Sequence, residues 1–429
     1  MFGGIRRHHA QRQGSRVEQR GDFSEFRKGW HLVAVGLLGV ALGMPGLPFY
    51  TIGIFAPIFA KEFGWLFANI FGGLAIMTAA MLFVGPFAGM LIDKFGARRV
   101  APASLLFLGA SYMTLAASNG SLVLYYMSWT AIAVFGLGAT PVAFTQAVNS
   151  AFVKRRGLAL GIVLAGTGLF AFAVKPLAQL LVDEASWRVA ILAMGAMPAL
   201  IAAPAVLWGF ARMGNRNAAG GVGTTPRVAD GMTVREVIRS RPFWLLAAVF
   251  VPMSLAVAAP LPNIENILRS LRLSRPEIVQ LASMVGASIL IGRIMGGLLI
   301  DRFWAPAVGC TVLAMGAVAC FSLSLDAVSF VPAFAAIMLL GLTAGIEYDL
   351  MAYLVARYLG MRSYGTAYAT LFGIFAVGAG LGPSLFGYVF DRTGTYSGIL
   401  EICALLLVAD AVVILFLGPY PSHRSAASD

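Results

Sequence analysis

The stretch Gly89-Met90-Leu91-Ile92-Asp93-Lys94-Phe95 returns 208 residues later as Gly297-Leu298-Leu299-Ile300-Asp301-Arg302-Phe303. Both copies close an apolar run with an acid, a base and a phenylalanine. A second pair, Pro176 through Asp183 and Pro383 through Asp391, repeats at nearly the same offset. Two independent pairs sharing one offset predict duplicated halves packed about an axis along a membrane normal, with a cavity between them.

The composition requires a membrane. Of the 429 residues 59% are apolar and only 12% charged, and the mean hydropathy is +0.82. A soluble protein carries roughly 25% charge, because its surface faces water. Cytosolic enzymes and DNA-binding proteins are thereby excluded, despite the net charge of +12. Cys310, Cys320 and Cys403 sit inside apolar runs without metal-ligand spacing, so no metal or other cofactor is expected.

Apolar runs of about 20 residues fall near 30–59, 67–92, 100–117, 122–150, 156–182 and 187–210, and again near 242–268, 274–300, 306–324, 330–355, 365–390 and 396–417. The sequence therefore predicts an all-α membrane protein of twelve spans in two pseudo-symmetric six-helix halves around a central cavity. Its parts are a basic tail over 1–29, a half over 30–210, a linker over 211–241, a second half over 242–417 and a tail over 418–429. Of 31 lysines and arginines, 23 lie on the tail-and-linker side and six on the other. The positive-inside bias predicts both termini in the cytoplasm, with a bacterial inner membrane as the expected location.

The loop Gly89-x-x-x-Asp93-Lys94-x-Gly96-x-Arg98-Arg99 combines close-packing glycines with an acid among cations at a helix end. Such a cluster can pair in one conformation and release in another, which makes Asp93, Arg98, Arg99, Asp301 and Arg302 candidate gating residues. In this pattern the chain resembles the major facilitator superfamily of transporters over nearly its whole length. Phe152-x-Lys154-Arg155-Arg156-x-Leu158-Ala159-x-Gly161-x-x-x-Ala165-Gly166 is similar to the signature of its monocarboxylate and oxalate branch. Ala151 and Val163 depart from that signature at two positions. The first span, from Tyr50 through Gly53 and Phe55 to Glu62-Phe63-Gly64-Trp65, fits bacterial members of the branch.

A charge at a helix centre costs at least about 2.5 kcal/mol, so charges inside spans mark function. Arg293 lies seven to eight residues from the end of span eight; its fork of donors suits a carboxylate. The resemblance implies that it binds the substrate carboxylate; a structural ion pair is the other reading. Lys175 reads either as a second cation of the site, favouring a dianion or bulky anion, or as a stem reaching the interface. Glu347 and Asp349 in span ten are the candidate proton carriers. At about 100° per residue they point roughly 160° apart, so one faces the cavity, and Glu347 is favoured; the other reading makes both acids structural partners of Arg357, Arg293 or the backbone. Tyr50, Gln146, Asn149 and Asn263 are polar groups on cavity-lining spans, each able instead to bond a neighbouring helix.

Two departures limit the resemblance. Animal members carry a lysine in span one, absent between Tyr50 and Ala60, and an aspartate one turn before the span-eight arginine, where Ile289 stands. Their proton relay does not transfer, which leaves the span-ten acids. The expected function is alternating-access transport, by a single chain, of a mono- or aromatic carboxylate, or a dicarboxylate, coupled to protons. The alternatives are an anion exchanger of the oxalate:formate type and a proton-driven exporter of drugs or neutral solutes. An enzyme is not expected, since no nucleophile-and-base set is present.

Overall fold

The computed structural model describes residues 24–44, 46–219, 230–325 and 327–421. The basic tail before residue 24 and linker residues 220–229 lie outside the described residues, as do the side chains of Tyr50 and Lys175 and those of 213–219. The described residues form twelve helical columns. They are α1 (Ser24–Leu42 with Gly46–Phe63), α2 (Phe67–Phe83 with Gly85–Phe95), α3 (Ala97–Ala116), α4 (Leu122–Ala151), α5 (Arg156–Leu164 with Gly166–Glu184) and α6 (Trp187–Arg212). The second set is α7 (Arg241–Ser270), α8 (Arg275–Arg302), α9 (Ala305–Ser324), α10 (Phe330–Tyr358), α11 (Tyr364–Thr393) and α12 (Ser397–Leu417). Eight columns are long and apolar enough to cross a membrane alone, and the bent α2 makes a ninth; α1, α3 and α5 complete the twelve.

The breaks in the columns follow from the sequence. Proline lacks an N–H and clashes with the preceding turn, so helices bend or restart where it falls. Column α2 turns by 52° ahead of Gly85-Pro86. A 3₁₀ turn, Leu137–Ala139, precedes Pro141 in α4, and π segments occur at Met197–Ala202 around Pro198 and at Ser254–Ala258 after Pro252. Columns α8 to α11 run without interruption. Ser274 and Glu277 form a capping box that starts α8, and Ser121 and Ser186 accept the N–H groups of Leu124 and Val189 to start α4 and α6.

With an even number of columns, the first and last described residues and the linker's described ends lie on one face, here the linker face. There the linker joins the second half through a two-residue antiparallel bridge between Gly231 and Gly360. Met232 N–H donates to the Leu359 carbonyl at 3.0 Å and Met361 N–H to that of Asp230 at 2.8 Å. Gly231 and Gly360 have φ of 136° and 83°, and a Cβ on Gly360 would stand 2.7 Å from the Asp230 carbonyl oxygen. Only glycine fits both demands. Gly360→Ala is expected to destabilise the protein by about 1–3 kcal/mol, seen as a lower thermal midpoint in detergent. An unchanged midpoint would show the bridge to be dispensable.

Candidate substrate site and gate

On the linker face the two halves meet through four glycines related by the internal repeat. A Cβ on Gly89 (α2) would strike the Gly365 backbone (α11), and one on Gly157 (α5) would strike that of Gly297 (α8). Gly89 corresponds to Gly297 and Gly157 to Gly365 by the same shift of 208 residues, so each seam joins opposite members of the two pairs. Backbone-to-backbone contact of this kind needs residues without side chains.

A carboxylate locks each seam. Asp93, at the end of α2, accepts the N–H groups of Gly365 and Thr366 at 2.7 and 2.8 Å and the Thr366 hydroxyl at 2.7 Å. Asp301, at the end of α8, accepts the N–H groups of Gly157 and Leu158 at 2.6 and 2.9 Å. Each acid thus sits at the amino end of a helix of the other half, where unpaired N–H groups and the helix dipole favour a negative charge. The seams differ in one respect: Leu158 stands where the repeat has Thr366, so Asp301 receives no hydroxyl from it. Gln146 donates to Asp93 at 3.1 Å and belongs to this lock. Arg98 and Arg99, a few residues beyond Asp93, and Arg302, next to Asp301, are exposed.

One turn further into the molecule α5 and α8 are still in contact, with Gly161 against the Arg293 carbonyl. Arg293, 4% exposed, reaches the fully buried Asp349 on α10, Nη1 to Oδ1 at 3.6 Å. Among the described residues, Arg293 Nε and Nη1 and both Asp349 oxygens have no hydrogen-bond partner. The same holds for Glu347 Oε2 and the hydroxyl of the fully buried Tyr368 on α11. The guanidinium lies 5.5 Å from the centre of the Tyr348 ring. The pair is therefore in electrostatic contact but not tied by hydrogen bonds.

The rotation of α10 decides which acid meets Arg293. Gly292 packs on Leu342, Gly296 on Ile346, and Gly345 on the backbone of Ile289 and Arg293, so the stripe Leu342, Gly345, Ile346 and Asp349 faces α8. Thr343 donates to the Val312 carbonyl of α9 at 3.1 Å, and Leu350 packs at Gly309 of the same helix. Glu347, one turn on from Thr343, is buried as well. The ion pair thus forms with Asp349, whereas the sequence favoured Glu347 as the acid beside the cavity.

The other expected ligand groups bond between helices. Asn149 donates to the Tyr364 hydroxyl at 3.1 Å and the Ala352 carbonyl at 3.4 Å, linking α4 to α10 and α11. Asn263 donates to the carbonyls of Ala259 at 3.4 Å and Pro383 at 3.3 Å. Tyr50 and Lys175 are carried by α1 and α5. Sequence reasoning did not select Tyr364 or Tyr368; their spacing with Phe372, one aromatic residue per turn of α11, was the available signal.

A model of the Major Facilitator Superfamily matches residues 32–383 and, overlapping it, 253–429. The chain belongs to the Major Facilitator Superfamily. It is a transporter of that superfamily, not an enzyme, and an integral membrane protein. Its relatives include monocarboxylate transporter 13 of Bos taurus, 26% identical over 91% of this chain and 89% of that protein. The rat protein of the same name is 25% identical over 91% and 89%. An uncharacterized 38 kDa protein of Thermoproteus tenax is 28% identical over 85% and 90%. Among solved structures, the fucose:proton symporter FucP of E. coli superposes with a TM-score of 0.66 over 92% of this chain and 99% of that one, at 16% identity. A second FucP structure, described as outward, gives 0.65. This superfamily fold has twelve helices in two halves about a central cavity, and Arg293 lies where the halves converge.

Proposed function

We propose that the chain carries a small organic carboxylate together with protons across a membrane by alternating access. Arg293 binds the carboxylate, and Asp349 is its counter-ion and the proton carrier. The observation that supports this reading best is the buried Arg293–Asp349 pair, in contact at 3.6 Å, with Arg293 Nε and Nη1 and both Asp349 oxygens free of hydrogen bonds among the described residues. A desolvated guanidinium attracts a planar anion strongly and can hold it at two points. A substrate carboxylate can therefore displace Asp349, provided Asp349 takes a proton as it leaves.

Charge balance supports the coupling. The buried cluster holds one cation and two carboxylates, Asp349 and Glu347, so neutrality requires a proton on one of them. A substrate anion entering the cluster requires one more. The relatives named monocarboxylate transporters favour a monocarboxylate; Lys175, if it shares the cavity, extends the range to dicarboxylates and to exchange of the oxalate:formate type. The 23 to six distribution of basic residues supports a cytoplasmic linker face, so the described state is closed to the cytoplasm. In that state the unit is a single chain in a bacterial inner membrane.

The test is counterflow and pH-driven uptake in proteoliposomes, with lactate, oxalate and an aromatic carboxylate. Asp349→Asn is expected to exchange labelled substrate but not to accumulate it against its gradient, since the amide keeps the shape and loses the titration. Glu347→Gln is expected to retain accumulation; the reverse pattern moves the proton to Glu347. Thermal stability is measured alongside, because an unpaired buried Arg293 costs about 3–5 kcal/mol. Wild-type uptake indifferent to an imposed pH gradient would remove both acids from the coupling.

A further inference from the structure

We propose that the linker carries a docking site for anionic phospholipid headgroups, built on the short helix Val234–Arg239 and the first turn of α7. This inference rests on the chain being membrane-embedded and is independent of the substrate. The helix is fixed to the protein: Thr233 and Glu236 form its capping box, Val237 is buried beneath it, and the Gly231–Gly360 bridge precedes it. Its outer surface is both apolar and cationic. Ile238 and Trp244 are 51% and 58% exposed. The Trp244 indole N–H donates to the Ile238 carbonyl at 2.7 Å, which holds the ring beside the helix.

Arg235, Arg239 and Arg241 are exposed around these two residues. Arg235 and Arg239 are four apart and so share a helix face. Glu236, on the same helix, accepts the Thr233 N–H at 2.7 Å and is held ionised below the usual carboxylate range by the Thr233 bonds, so the patch carries three cations against this one anion. The patch lies where α7 starts into the bilayer. Indole and aliphatic groups at that depth suit the boundary between headgroups and acyl chains, and arginines suit phosphate. A free phosphate ion would satisfy the arginines but leave Ile238 and Trp244 in water. An anionic phospholipid satisfies both.

Occupancy bears on transport through a short covalent path. The bridge at Gly360 is five residues from Gly365, whose N–H is held by Asp93. A lipid that holds the linker helix to the membrane surface therefore also holds the loop that presents α11 to its lock.

The test reconstitutes the full chain in phosphatidylcholine vesicles doped with phosphatidylglycerol and counts retained lipid by native mass spectrometry. The variant R235Q/R239Q/R241Q is expected to bind phosphatidylglycerol about fivefold more weakly for each arginine removed, with wild-type binding weakened by salt. Ile238→Asn, which keeps all three arginines, is expected to lower lipid retention as well. Equal retention by the triple variant, or equal retention of phosphatidylcholine and phosphatidylglycerol by the wild type, would overturn the proposal. So would crosslinks from residue 238 that join two copies of the chain instead of protein to lipid.

Discussion

Arg293→Lys is expected to reduce transport by roughly ten- to a hundredfold while leaving the protein folded. Lysine keeps the charge beside Asp349 but presents one compact ammonium where arginine presents a planar fork. A lost charge-assisted hydrogen bond is worth about 1.5–3 kcal/mol, which sets that range. Arg293→Gln is expected to abolish transport and also to destabilise, because Asp349 is then a buried carboxylate without its cation. Combining Arg293→Gln with Asp349→Asn is expected to restore stability and not transport, since removing both partners of a buried pair costs far less than removing one. Full transport by Arg293→Gln would falsify the carboxylate contact, whatever the stability.

The second large effect is expected at the two locks. Asp93→Asn and Asp301→Asn replace a charged acceptor at a helix amino end by an amide that is neutral and offers only one acceptor oxygen. Each change is expected to weaken the closed arrangement by about 2 kcal/mol, a roughly thirtyfold shift toward opening on the linker face. The two sites act on separate seams, so their effects should add in the double variant. Spin labels at residues 154 and 362, exposed on loops of opposite halves, read the opening as a longer distance between them. Unaltered distances in the double variant would mean that glycine packing alone holds the seams.

Much of this architecture can be read without coordinates. Hydropathy marks the spans, and the repeat places Asp93 and Asp301, with their glycines, at equivalent ends of equivalent helices. Depth along a helix is also readable, which is why Arg293, Glu347 and Asp349 could be selected together. Rotation is not. The sequence sets the angle between Glu347 and Asp349 but not how α10 turns toward its neighbours, and that setting comes from Gly292 and Gly345 packing backbone to backbone across α8 and α10 and from Gly296 packing against the Ile346 side chain. Gln146 illustrates a second gap. Its amide is polar on a cavity-lining helix, yet it bonds Asp93, a residue 53 positions away whose location depends on how α2 and α4 pack.

The distribution of helix breaks has a mechanical consequence. Columns α1, α2, α4, α5, α6 and α7 are each interrupted and α11 carries Pro383 inside it, whereas α8, α9 and α10 are continuous without an interior proline. A helix is stiff because each turn is bonded to the next, and a break, π segment or proline removes some of those bonds. The molecule therefore joins a set of jointed rods to a set of rigid ones. Arg293 and Asp349 stand on two of the rigid rods, α8 and α10, which are pressed together by glycines. Bending during a transport cycle falls on the interrupted columns, so the helices that carry the cation and its counter-ion move together while the columns around them deform.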